Sequence, residues 1–100
     1  MAKRSIKEEQ DYTFKAKDFY ELLERQEERC ALTGRQLTSE NCTAIHRSPL
    51  RRGGTHDLSN ICLVVEEIAQ LKRSLLDEEL YSLCRDLLDH RSTEDDKSIP

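Results

Sequence analysis

Long apolar runs are missing from this chain of 100 residues. No segment approaches the ~20 apolar residues that span a bilayer, so a helical membrane anchor is excluded. The start, MAKRSIKEEQ, carries charges and no apolar stretch. No secretory signal is read there, and a cytoplasmic location is expected. Tryptophan is absent and aromatic residues make up only 5% of the chain. The apolar share of 36% is enough for one domain around one small core. With three glycines and two prolines, chain breakers are scarce and helix formers dominate. The four cysteines, Cys30, Cys42, Cys62 and Cys84, include no CxxC pair, which weakens the case for a zinc site. In a reducing compartment they read as small buried apolar residues, with a disulfide pair as the alternative.

Charge is present in quantity but not in balance. The formal net charge of −4 argues against an indiscriminate, charge-driven nucleic-acid binder. Its distribution is uneven, however. Arg47, Arg51 and Arg52 lie between His46 and Asp57 with no acid among them, and Lys72 and Arg73 follow. The acids gather in 8–28 and 77–96. A basic patch on an acidic protein is consistent with phosphate binding, which answers to the local field.

The pattern divides into a flexible N-terminal segment at 1–12, a single domain at 13–90 and a disordered acidic tail at 91–100. Phe19, Leu22 and Leu23 recur at helical spacing and predict a helix over about 15–28. "CALTG" marks a turn after it. "NCTAIHR" predicts a strand over 42–47, ended by Pro49, and "NICLVV" predicts a second over 60–64. Between them "RRGGTHDLS" reads as a loop freed by Gly53-Gly54. A helix over 65–73 follows, with Val64, Ile68, Leu71 and Leu75 on one stripe. Asp77 is the expected N-cap of a last helix over 78–90 that buries Leu80, Leu83, Cys84, Leu87 and Leu88. The expected class is α+β, mostly helical, with a two-stranded antiparallel hairpin and flanking helices.

Several residues in the middle of the chain carry chemistry. His46 titrates near neutral pH and can act as a general base. Antiparallel pairing brings Asn60 near the strand of His46, where its amide can fix either the loop or the imidazole. Arg47, Arg51 and Arg52 can grip phosphates bidentately. The plain alternatives are a half-buried polar histidine, an asparagine that caps a turn and a solvated basic loop.

Taken together, "FYELLERQEERCALTGRQL" and "IHRSPLRRGGTHDLSNICLVVEEIAQLKRSL" resemble the HNH, or His-Me finger, endonuclease family over residues 13–88. The shared features are a first helix leading to Cys-x-x-Thr-Gly, His-x-x-Pro, Gly-Gly, an Asn opening an apolar strand, and a helix carrying a lysine. No one of them is specific, but their order and spacing are. The resemblance implies a ββα-metal core and hydrolysis of a phosphodiester with one divalent metal. It places His46 at the general base, Asn60 at the central asparagine and Lys72 at the lysine three residues beyond the helix ligand.

This chain departs from that pattern at both metal-ligand positions, which hold Ile45 and Ala69. Neither can coordinate a hard cation. The metal neutralises charge developing on the scissile phosphate, a contribution of several kcal/mol. A histidine base alone supplies only ~10²–10⁴-fold. Where relatives place a structural zinc, this chain has Cys30, Thr33, Val65 and Ile68. Other polar groups near the site are His56, Glu66, Glu67 and Gln70. The expectation is therefore a nuclease-like module, inactive or impaired, that binds nucleic acid (DNA above all) through Arg47, Arg51, Arg52, Lys72 and Arg73. No metal ligand and no cofactor are expected; Mg²⁺, Mn²⁺ or Ni²⁺ enters only if the site is active. The alternatives are an active metal-dependent endonuclease with atypical ligands, and a protein-binding regulator on a nuclease-derived scaffold.

Overall fold

A computed structural model describes residues 12–98, with side chains through Arg91. The expected flexible start lies outside the described residues except for Tyr12. The chain forms a small α+β domain with a two-stranded antiparallel hairpin and three helices. In order these are α1 (Ala16–Arg25), β1 (Cys42–His46), β2 (Ile61–Val65), α2 (Glu66–Lys72) and α3 (Asp77–Ser98). Two 3-10 turns, Leu50–Arg52 and Leu58–Asn60, shape the long loop of the hairpin.

α1 begins where the Asp18 carboxylate accepts from the Lys15 backbone N–H at 3.2 Å, and it buries Leu22. It ends at Arg25, three residues before the expected limit, because Glu27 and Glu28 turn left-handed, at φ 55° and 59°. That turn lets the Gln26 side chain act as a strand neighbour. Its Nε2 donates to the Leu63 carbonyl at 2.9 Å and its Oε1 accepts from the Leu63 N–H at 3.0 Å. A free sheet edge is thus capped by one side chain. The "CALTG" turn follows, closed by Cys30 N–H donating to the Arg35 carbonyl at 2.7 Å.

The strands pair with His46 opposite Ile61 and Cys42 opposite Val65. All five residues of β2 are buried. Leu63 and Val64 have no exposure at all, as expected of a continuous β-branched and apolar run covered on both faces. The core joins Leu22, Cys30, Leu37 and β2, with Phe14, Phe19, Ile45 and Ile68 packed around it. All four cysteines are free. Burial pushes the Cys62 thiol up, away from the reactive thiolate.

Four further expectations need correction. Leu71 is 44% exposed, while Lys72 is fully buried. The inward stripe of α2 is Val65, Ile68, Ala69 and Lys72, an i, i+3, i+4, i+7 set. Asp77 does not cap α3. Its carboxylate receives Arg47 Nε at 2.9 Å, and the Glu79 carboxylate accepts the Leu76 N–H at 3.0 Å instead. Finally, α3 buries Leu80 but leaves Leu83, Leu87 and Leu88 exposed, with Cys84 half-buried. A helix of 22 residues is ~33 Å long at 1.5 Å per residue. A 7-residue α2 and strands of five residues cover only its start. The helical backbone also continues past the expected end near 90, through the segment read as a disordered tail, to Ser98. No glycine or proline interrupts it there, and an established helix extends more easily than it nucleates. Among the described residues no helix is long and apolar enough to cross a membrane.

Candidate nucleic-acid interface

The Gly-Gly and the asparagine have a joint mechanical role. Asn60 Oδ1 accepts from the Ser48 N–H at 2.9 Å, and its Nδ2 donates to the carbonyls of Ser48 at 2.9 Å and Thr55 at 2.8 Å. One amide therefore ties both ends of the 48–55 loop to the mouth of the hairpin. Of the two roles open to Asn60, fixing the loop and fixing the imidazole, the structure shows the first. The chain must pass close to itself for this. A Cβ on Gly54 would sit 1.8 Å from the Ser48 carbonyl oxygen, so no other residue fits. Gly53 beside it has φ 94°, in the left-handed region glycine favours.

Drawn back in this way, the loop sets His56 against His46. His46 Nε2 and His56 Nδ1 stand 2.8 Å apart, with the rings tilted by 58°. Tyr12 packs edge-on against His56 at 5.3 Å. Two cations that close would repel, so the pair is held together by one ring N–H donated to the other ring's lone pair. Burial, and then the neighbouring His56, hold the His46 imidazolium below its ordinary pKa.

A cleft of about 490 Å³ opens beside His46, lined by Ile45, Pro49, Leu50, Arg51, Ala69, Arg73 and Ser74. The end of β1, the first 3-10 turn and the end of α2 thus meet at one concavity. Ile45 and Ala69, far apart in sequence, both lie on it, and no carboxylate does. Gln70 is exposed and donates to Glu66 at 2.9 Å, so the helix register presents Ala69 to the cleft. Glu66 is further occupied by the Thr43 hydroxyl. The residues present do not fit a divalent cation at this place, since Ile45 and Ala69 offer carbon alone. Among the described residues no three His, Cys, Asp or Glu side chains gather to hold a metal.

The five basic candidates separate into two groups. Lys72 is interior. Its Nζ donates to the carbonyls of Arg47 at 2.6 Å and Leu75 at 2.7 Å. It also lies 3.3 Å from Asp77 Oδ1, an ion pair without hydrogen-bond geometry. Lys72 is therefore withdrawn from any phosphate, and its expected binding role is corrected to a structural one. Arg47 is tied to Asp77, whose carboxylate raises the guanidinium pKa. Arg52 makes a bidentate pair with Glu79, both contacts at 2.9 Å. That pairing pushes the Glu79 carboxyl down to about 2. Arg51 and Arg73 are exposed at the cleft, and neither side chain makes a hydrogen bond or ion pair with a described residue.

At the "CALTG" turn, Cys30 Sγ accepts the N–H groups of Thr33 and Val65, both at 3.4 Å. One sulfur thus joins the turn to the end of β2 by hydrogen bonding. Sequence reasoning missed the partnership of His56 with His46, because nine intervening residues conceal it. The sequence signal was Asn60 with Gly54, which together fold the loop back. No protein-family model and no curated protein matches this chain.

Proposed function

We propose that this domain is a nuclease-like module of the ββα-metal type that binds nucleic acid at the His46 cleft and does not perform metal-assisted hydrolysis. One observation carries this reading. Ile45, His46 and Ala69, three of the positions singled out by the HNH resemblance, line a single cleft whose cationic side chains, among the described residues, are the unengaged Arg51 and Arg73. The order hairpin then helix, with Asn60 locking the loop, supports the same reading. His46 stands where a base would act, while the two ligand positions carry no donor. What remains is a cationic concavity lined by no carboxylate, on a protein of net charge −4. Phosphate contacts made there depend on the local field rather than on the whole charge.

Binding of a duplex oligonucleotide across a salt series tests this. The affinity should fall with salt. The Arg51→Ala/Arg73→Ala double variant should lower the slope of log affinity against log salt by about 1.8, since each phosphate contact contributes ~0.9. Binding that ignores both arginines contradicts the proposal. A regulatory, protein-binding role is the second reading, favoured by the exposed Leu83, Leu87 and Leu88 on α3. It predicts no measurable affinity for nucleic acid.

A further inference from the structure

A cleft with no cation donor has no means of turning water into a strong nucleophile, but an RNA strand brings a nucleophile of its own. The ribose 2′-hydroxyl sits beside the phosphate it can attack, so proximity is supplied by the substrate. Such a reaction asks three things of a protein: a base for the 2′ proton, cations for the charge on phosphorus, and a fixed orientation of the base. His46, the pair Arg51 and Arg73, and His56 offer these in turn.

We propose that this cleft cleaves RNA by internal transesterification and leaves DNA intact, with His46 as the base and His56 as its positioning residue. The inference rests on the reading of the cleft as a phosphodiester-binding site. His46 Nε2 and His56 Nδ1 are 2.8 Å apart; in the tautomer this step requires, Nε2–H is donated to His56 and the lone pair of the neutral His46 ring lies on Nδ1. Burial and the adjacent ring keep His46 neutral near pH 7. His46 Nδ1 takes the 2′-hydroxyl proton as the O2′–P bond forms and the P–O5′ bond breaks. The departing 5′ oxygen takes a proton from water, and the hydroxide so formed is neutralised by the proton that His46 releases. The products are a 2′,3′-cyclic phosphate and a 5′-hydroxyl. Arg51 and Arg73 engage the non-bridging oxygens, where charge grows in the transition state.

The test uses the whole chain with matched RNA, DNA and 2′-O-methyl RNA oligonucleotides, in excess EDTA. The expected result is cleavage of RNA alone, with cyclic-phosphate ends, while the other two are bound and uncut. His46→Ala should slow cleavage by about 10²-fold or more. His56→Ala should slow it and move the acidic limb of the pH–rate profile upward, because His46 loses the neighbour that depresses it. RNA that is bound but uncut overturns this inference and leaves the binding proposal standing. If none of the three is bound, the binding proposal itself fails. Cutting undiminished in His46→Ala, or cutting of 2′-O-methyl RNA, overturns the assigned chemistry.

Discussion

Lys72 shows how a single residue can be misread from sequence and then explained by it. A lysine on a helix whose sequence resembles the nuclease pattern invites a phosphate, yet here it is fully buried and holds the Arg47 and Leu75 carbonyls. It lies four residues after Ile68 and seven after Val65, the spacing of an inward face. Leu71 carries the more apolar side chain and drew the stripe one position away. Lys72→Ala should cost about 3 kcal/mol in urea denaturation, because it strands two carbonyls and removes the cation beside Asp77 Oδ1. Arg73→Ala, next in sequence and exposed, should stay within about 0.5 kcal/mol. His46 gives a pH signature at the same scale. Its imidazolium is depressed in the fold, so the unfolded chain binds the proton more readily. This contribution is fully present above the unfolded value and is lost as pH falls, beginning below about pH 6.5. Thermal melts of His46→Gln should show a shallower loss over that range than the parent. Equal acid sensitivity in the two proteins would contradict the assignment.

At the scale of elements, the strands and α2 were legible within a residue or two. Their signals are local: β-branched runs, and Pro49 as a stop. The closing of the hairpin loop was only half legible, since "GG" and "N" were visible but their mutual contact was not. A loop that passes within contact distance of itself depends on a few hydrogen bonds from Asn60, and these are set by tertiary geometry. Gly54→Ala forces a Cβ into the Ser48 carbonyl and should destabilise the domain by at least ~1–3 kcal/mol. The chemical shifts of His46 and His56 should move with it, because the loop carries His56. A silent substitution would mean that the loop is not held as described. The end of α1 was overrun in the sequence reading because Glu27 and Glu28 are ordinary helix formers. Their left-handed turn goes with the docking of Gln26 on β2, a tertiary contact that local propensity does not show.

Across the whole molecule the composition bounded the answer well, giving one small core and a predominance of helix. It did not reveal how little of α3 the core covers. Periodicity reports that a face is apolar, whereas burial requires something opposite it, and the hairpin and α2 are too short to supply that. Leu80→Ala should therefore cost about 2–5 kcal/mol, while Leu87→Ser should cost little, as Leu87 is 61% exposed. Equal losses in denaturant midpoint would show that α3 is covered along its length. The same short core leaves the His46 cleft open between β1, the 3-10 turn and α2. We read that cleft as a nuclease-like frame whose two ligand positions, Ile45 and Ala69, offer only carbon.

The most direct test of that claim is plasmid nicking across Mg²⁺, Mn²⁺ and Ni²⁺ with three proteins: the parent, His46→Ala, and the double variant Ile45→Asp/Ala69→Asn. The account predicts no nicking by the parent with any metal, and metal-dependent nicking only once both donors are restored. Robust nicking by the parent that disappears in His46→Ala would contradict it.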